Sequence, residues 1–284
     1  AGTVVDPACG AGVFLLAAGR LLVERGVADP ATVARRHLFG ADVDPASVDV
    51  TRRLLATWAE IDPDEVVGVV VGDPLHHGRH VWDGCHGGGA MPGFDAVVGN
   101  PPFLGQLRTS TVVSAADRER LRRRYPGLVA AYTDVAWLFL AVGLDLLADG
   151  GRMVLIQPQS VLAARDAGPV RDLLVTEARL VGLWWDRSSV FAGHAEVCAP
   201  VVQRAPDGPR PDVDVMVDRE LAPGGRAPAP DVGATWGGVL AGVLGVPPGS
   251  PSFDGPGAGG SVETMAAATA GFRQHFYGLA PGVV

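Results

Sequence analysis

Two short stretches carry residues whose types and spacing suit chemistry on a planar, nucleotide-like ligand. The first is Asp6-Pro7-Ala8-Cys9-Gly10-Ala11-Gly12-Val13-Phe14-Leu15. Its glycines allow a sharp turn and close approach of backbone to a ligand. A helix starting just after it would present free N–H groups to a carboxylate. The second is Asn100-Pro101-Pro102-Phe103. It combines a side-chain amide, a turn stiffened by two prolines, and an aromatic face on which a flat group can stack. Taken alone, the first pattern suits a nucleotide or dinucleotide equally well, and the second is also an ordinary strand-ending turn.

Two further carboxylates belong with the first loop. In Gly40-Ala41-Asp42-Val43-Asp44-Pro45, Asp42 is placed to hold both ribose hydroxyls of an adenosine. Asp44, directly before a proline, reads as a helix N-cap. In Gly72-Asp73-Pro74-Leu75, Asp73 could accept a hydrogen bond from an adenine amino group or simply shape a turn. The phosphate-binding loop is excluded because no Gly-Lys-Ser/Thr follows the glycines. The dinucleotide pattern Gly-x-Gly-x-x-Gly fails because Leu occupies position 15.

These loops need strands to position them. Thr3–Asp6, Leu38–Val43, Val66–Val71 and Phe94–Gly99 read as strands, and Val13–Arg25 and Pro45–Ala59 as helices between them. Near-continuous apolar strands alternating with helices predict a parallel sheet covered on both faces, with all the loops above at the carboxyl ends of strands. A helix is expected over Asp134–Leu147, stopping at Gly150-Gly151, then a strand over Arg152–Gln157 that Pro158 ends. Val170–Glu177 reads as helix, and Leu180–Trp185 and Val197–Gln203 as strands. Beyond Arg204 the composition shifts to Pro, Gly and Ala. Leu221–Pro230 and Pro247–Gly260 read as linkers.

Composition narrows the classes. Of 284 residues, 48% are hydrophobic, which excludes a wholly disordered chain. No apolar run approaches the length of a membrane span. Cys9, Cys85 and Cys198 are separated and odd in number, which suits a reducing cytoplasm rather than a disulfide framework. His76, His77, His80 and His86 read as a solvated loop, and no metal site is expected. Net charge is −8 and every Lys+Arg cation is arginine. The run Arg118, Arg120, Arg122, Arg123 and Arg124 is either a solvated helix face or a phosphate contact.

The pairing of Asp-Pro-Ala-Cys-Gly-x-Gly-x-Phe-Leu with the later Asn-Pro-Pro-Phe resembles the class I S-adenosylmethionine (SAM)-dependent N6-adenine DNA methyltransferases of restriction-modification and related defence systems, over roughly residues 3–204. The resemblance implies an α/β Rossmann-like fold with a seven-stranded, mostly parallel sheet, helices on both faces and an antiparallel last strand. It implies that Asp6, Pro7, Ala8, Cys9, Gly10, Gly12, Phe14, Asp42, Val43, Asp73, Pro74 and Leu75 bind SAM. It implies that Asn100 and the carbonyl of Pro101 accept the hydrogens of an adenine amino group, with Pro102 and Phe103 completing that site. It implies that the partner is double-stranded DNA with a flipped adenine. The expected organisation is a catalytic domain over 1–210, a linker over 211–261, and the start of a truncated target-recognition region over 262–284, so the chain reads as a fragment. A protein-glutamine methyltransferase, an N4-cytosine enzyme and a non-catalytic SAM- or DNA-binding remnant are the alternatives.

Overall fold

The computed structural model describes residues 2–85, 92–103, 115–130, 133–186, 196–205 and 209–241. All fall within one unit, Ala1–Gly245. The expected target-recognition segment, 262–284, and His86 lie outside the described residues.

The order is β1 (Val4–Asp6), α1 (Val13–Glu24), α2 (Pro30–Arg36), β2 (Leu38–Asp42), α3 (Pro45–Ala59), β3 (Val69–Val71), α4 (Pro74–His77), β4 (Phe94–Gly99), α5 (Ala115–Arg124), α6 (Val135–Leu146), β5 (Leu147–Leu155), β6 (Gln157–Pro158), α7 (Gly168–Glu177), β7 (Arg179–Trp185), β8 (Val197–Gln203), β9 (Val213–Val217), β10 (Ala222–Ala227) and α8 (Trp236–Val239). One local device starts several helices. Asp29, Asp44 and Asp73 each accept hydrogen bonds from backbone N–H groups two or three residues ahead, with Pro at the first helical position. Asp134 caps α6 the same way, without the proline.

The sheet runs β10-β9-β7-β8-β5-β4-β1-β2-β3. β3, β2, β1, β4 and β5 are mutually parallel, and β8 is antiparallel to both of its neighbours, β5 and β7. The expected mixed sheet is therefore present, with ten strands among the described residues rather than seven. β6 is a two-residue extension against β8. β9 and β10 arise from residues 213–227, which the composition assigned to a linker. β9 pairs parallel with β7, and β10 folds back on β9 with a register shift between Pro223 and Gly225. That irregularity absorbs a Pro-Gly-Gly run whose composition alone reads as coil. Two other expectations are corrected. α6 passes directly into β5 at Leu147, so Gly150-Gly151 lies inside a strand instead of ending the helix. His76 and His77 sit on α4 and His80 in a following 3-10 turn, not in a loop.

Strand alternation sends apolar side chains to both faces. Val4, Leu38 and Val69 pack with Leu15, Val33, Val48 and Leu55 of α1, α2 and α3. Val5, Phe39, Val97, Met153 and Leu155 pack on the other face with α6 and α7. Within α6 every residue but Asp145 is buried. At about 1.5–3 kcal/mol per large apolar side chain buried, this helix is fixed rigidly against the sheet.

Candidate functional site

The parallel strands β1, β2, β3 and β4 end at one edge, and the loops leaving them converge there. The loop after β1 is held from both sides. The Ala8 N–H donates to Asp6 Oδ1 at 3.0 Å, and the Cys9 N–H to the Ala41 carbonyl at 2.9 Å. The Gly10 N–H donates to Asp42 Oδ2 at 2.9 Å, and the hydroxyl of Thr51, on α3, donates to the Gly10 carbonyl at 2.7 Å. Asp42 Oδ1 accepts from the Asp44 N–H at 2.9 Å. Asp42 thus stitches the first loop to the second while keeping lone pairs on both oxygens.

Gly12 enters α1 with φ +78°, and a Cβ there would lie 2.8 Å from Thr51 Cγ2. Gly12→Ala is expected to cost about 2–4 kcal/mol, combining left-handed backbone strain with overpacking against Thr51. Its checkable sign is a melting temperature several degrees below wild type, and an unchanged one would contradict the geometry.

A cleft of about 340 Å³ opens on this edge. Pro7 and Ala8 line it from the first loop, Asp42 and Val43 from the second, Gly72, Asp73 and Pro74 from the third, and Asn100 and Pro102 from the fourth, with Phe139 of α6 at its wall. Asn100 is exposed and Pro101 buried. Nine of those ten residues stand in the four loops selected from the sequence. The other selected residues lie elsewhere. Gly10 and Gly12 form the turn behind Ala8. Cys9 is buried against Gly40, Leu75 is in the core, and Phe14 is 36% exposed on α1. Phe103 is half-buried, outside the cleft lining. Asp44 caps α3, as its place before Pro45 predicts.

Thr51 and Phe139 carry parts of the site that the sequence reading missed. Thr51 had a signal, a polar residue on the buried face of an amphipathic helix. Phe139 had none, because one aromatic in a wholly apolar helix reads as core.

Burial governs the titrating groups. Asp6 is 1% exposed, and its carboxyl is pushed from 3.8 up to about 7, by burial first and by the neighbouring Asp42 charge, against the Ala8 N–H bond. The Cys9 and Cys198 thiols are pushed up to about 12, Cys9 by burial and the Asp6 charge, Cys198 by burial. Neither offers a thiolate nucleophile at neutral pH. On α5, Arg120 pairs with Asp117 and Arg123 with Glu119, while the Arg124 guanidinium lies 5.5 Å from the Tyr125 ring. The Tyr125 hydroxyl donates to the Leu75 carbonyl at 2.7 Å, tying α5 to the third loop. A larger cavity of about 390 Å³ lies on the other side of α6, where Arg124 and Arg204 face Asp145 and Glu177. Among the described residues no three metal-ligating side chains cluster, and no helix is long and apolar enough to cross a membrane.

The sequence model of the Eco57I restriction-modification methylases matches residues 36–185, just over half of the chain. The chain belongs to the Eco57I restriction-modification methylase family. The match takes in Asp42, Asp73 and the Asn100–Phe103 turn and begins after the Asp6–Gly12 loop. No curated protein matches the chain significantly in sequence. Among solved structures, a class I SAM-dependent methyltransferase from Listeria monocytogenes superposes with a TM-score of 0.56 at 17% identity, over 86% of this chain and 62% of that one. The methyltransferase subunit of a type I restriction-modification system from Streptococcus thermophilus gives 0.54 at 18% identity, over 87% and 48%. The type ISP restriction-modification enzyme LlaGI, solved with a DNA substrate mimic, gives 0.56 at 13% identity, over 76% and 24%. These similarities establish the Rossmann-like methyltransferase fold. The chain spans less than two thirds of the length of each of these proteins.

Proposed function

We propose that this chain carries the catalytic core of a SAM-dependent DNA methyltransferase that modifies the N6 amino group of a flipped-out adenine. The observation that carries this reading is the single cleft shared by the Pro7–Ala8 loop, Asp42, Asp73 and Asn100. Its size falls within the range of small-ligand sites.

The lining residues fit SAM. Asp42 keeps acceptor capacity for ribose hydroxyls. Val43, 66% exposed beside it, offers an apolar surface to an adenine ring. Asp73 Oδ1 caps α4, but Oδ2 lies 3.8 Å from His76 Nε2 and is free to accept from an amino group. When bound, SAM supplies an electrophilic methyl on a sulfonium. The protein's own part is to present the acceptor. An adenine amino nitrogen is a weak nucleophile because its lone pair is delocalised into the ring. The Asn100 side-chain oxygen and the Pro101 carbonyl accept its two hydrogens, drawing the nitrogen toward a tetrahedral, more nucleophilic state. Two prolines hold those acceptors preorganised, and Phe103 supplies a stacking face. Holding both reactants in line supplies most of the remaining rate.

DNA as the substrate is supported by membership of a restriction-modification methylase family and by the DNA-bound LlaGI relative in fold. Net charge −8 and the paired arginines of α5 give little field for phosphates. The reading therefore assigns site selection to a target-recognition region beginning near residue 262, later in the chain than the sheet, whose last described strand ends at Ala227. The test is incubation with methyl-labelled SAM and duplex DNA, or with a protein extract, followed by nucleoside and peptide analysis. Labelled N6-methyladenine is expected. Label in N4-methylcytosine or in glutamine would refute the assignment, and cofactor binding without transfer to anything would favour a non-catalytic remnant.

A further inference from the structure

The segment paired with the strand just before Asn100 carries a side chain that the scheme above leaves unused. Gly99 and Leu155 are register partners of β4 and β5, and the Ile156 N–H donates to the Gly99 carbonyl at 3.0 Å. The chain after β5 is thus still fastened to β4 immediately before Asn100. The next residue is Gln157, which opens β6. Alternation places it on the face of Met153 and Leu155, the face covered by α6, whose Phe139 lines the cleft.

The Gln157 side chain is fully buried, and neither its Nε2 nor its Oε1 has a hydrogen-bond partner among the described residues. Burying a carboxamide with both ends unsatisfied is destabilising, and an apolar residue of the same length would fill that space without the penalty. Trp137 Nε1, Arg171 Nε and Trp236 Nε1 are single buried donors that also lack a partner, but among the described residues only Gln157 has both ends of a side chain unpaired, which calls for a specific explanation. Its backbone follows directly on the Ile156–Gly99 hydrogen bond that fixes the start of the Asn100 turn, although Gln157 itself is enclosed and not among the residues lining the cleft.

Building on the methyltransferase reading, we infer that Gln157 is a substrate-recognition residue whose carboxamide pairs with the target base. Nε2 donates to N1 or N7, the two ring nitrogens on either side of the amino group. The three contacts are complementary. Asn100 and Pro101 accept the two amino hydrogens, and Gln157 donates to the adjacent ring lone pair, which fixes the rotation of the base in its plane. The base completes an amide that has no partner among the described residues.

The test compares wild type with Gln157→Met, which keeps the length and removes the amide; Gln157→Leu serves as a second variant. The melting temperature is expected to rise by about 2–4 °C as the unsatisfied amide disappears. Transfer to DNA is expected to fall about tenfold to a hundredfold in kcat/KM, with SAM affinity unchanged. Oligonucleotides carrying 1-deazaadenine or 7-deazaadenine read the pairing directly. One of them should cost wild type about tenfold while making no difference to the Met variant. A lowered melting temperature in both variants, or equal deaza penalties in wild type and variant, would overturn the inference. A wild-type protein that labels a protein amide instead of DNA would remove the adenine reading on its own. Gln157→Met would then be scored on that acceptor, where unchanged transfer overturns the recognition role separately.

Discussion

Asn100→Ala is expected to slow methyl transfer by about 10²–10³-fold while leaving SAM affinity and thermal stability close to wild type. On the proposed mechanism, the size follows from removing one preorganised hydrogen-bonding group aimed at the reacting nitrogen. The selectivity follows from where the residue sits. Asn100 is exposed at the mouth of the cleft, so truncation strands no buried polar partner and opens no cavity. It is also the chain's only asparagine. Single-turnover transfer at saturating SAM, with calorimetry for cofactor binding, checks both halves. A variant that loses SAM binding in proportion to its rate would show Asn100 to be a cofactor residue rather than an acceptor-site residue.

Asp6→Asn is expected to flatten the dependence of stability on pH. Asp6 has a folded value raised to about 7 over an ordinary 3.8. The folded chain therefore holds this proton more tightly than the unfolded chain. Its contribution is fully present below about pH 3.8 and is lost as pH rises through about 7. The loss over that window is of order 4 kcal/mol, at about 1.4 kcal/mol per pH unit of separation. The physical cause is close packing. A Cβ on Gly99 would lie 2.5 Å from Asp6 Oδ1, so β4 closes over the carboxyl and keeps water from solvating its charge. An amide at position 6 keeps an oxygen for the Ala8 N–H but carries no charge to bury. Denaturant unfolding of wild type and variant between pH 4 and pH 8 makes the comparison. Curves that stay parallel across the window would show that Asp6 is solvated like any surface carboxylate.

Several features of the molecule were legible from residues alone. The apolar strands at Val4–Asp6, Leu38–Asp42 and Phe94–Gly99, the Asp44 cap before Pro45 and the helix α1 follow from local pattern, because burial on two faces and capping chemistry each leave a short-range mark. The same Asp-Pro signature stands at Asp29-Pro30 and Asp73-Pro74, and reading it uniformly would have located α2 and α4. β10 left no such mark. Ala-Pro-Gly-Gly-Arg-Ala has no strand pattern, and its conformation comes from β9 beside it.

What the sequence by itself determined is the set of chemically capable loops, since each depends on residue type over four to ten positions: Asp6–Gly12, Asp42–Val43, Asp73–Pro74 and Asn100–Phe103. Only tertiary structure decided which members of those loops share a cleft. Pro7, Ala8 and Asn100 meet because β1 and β4 pair in register across more than ninety residues of chain, while Phe14 and Leu75, adjacent in sequence to the same loops, are carried away by the helices they begin. Phe139 and Gln157 arrive from still farther along the chain. Their places depend on how α6 and the end of β5 pack against β4, and no local pattern encodes a contact of that range.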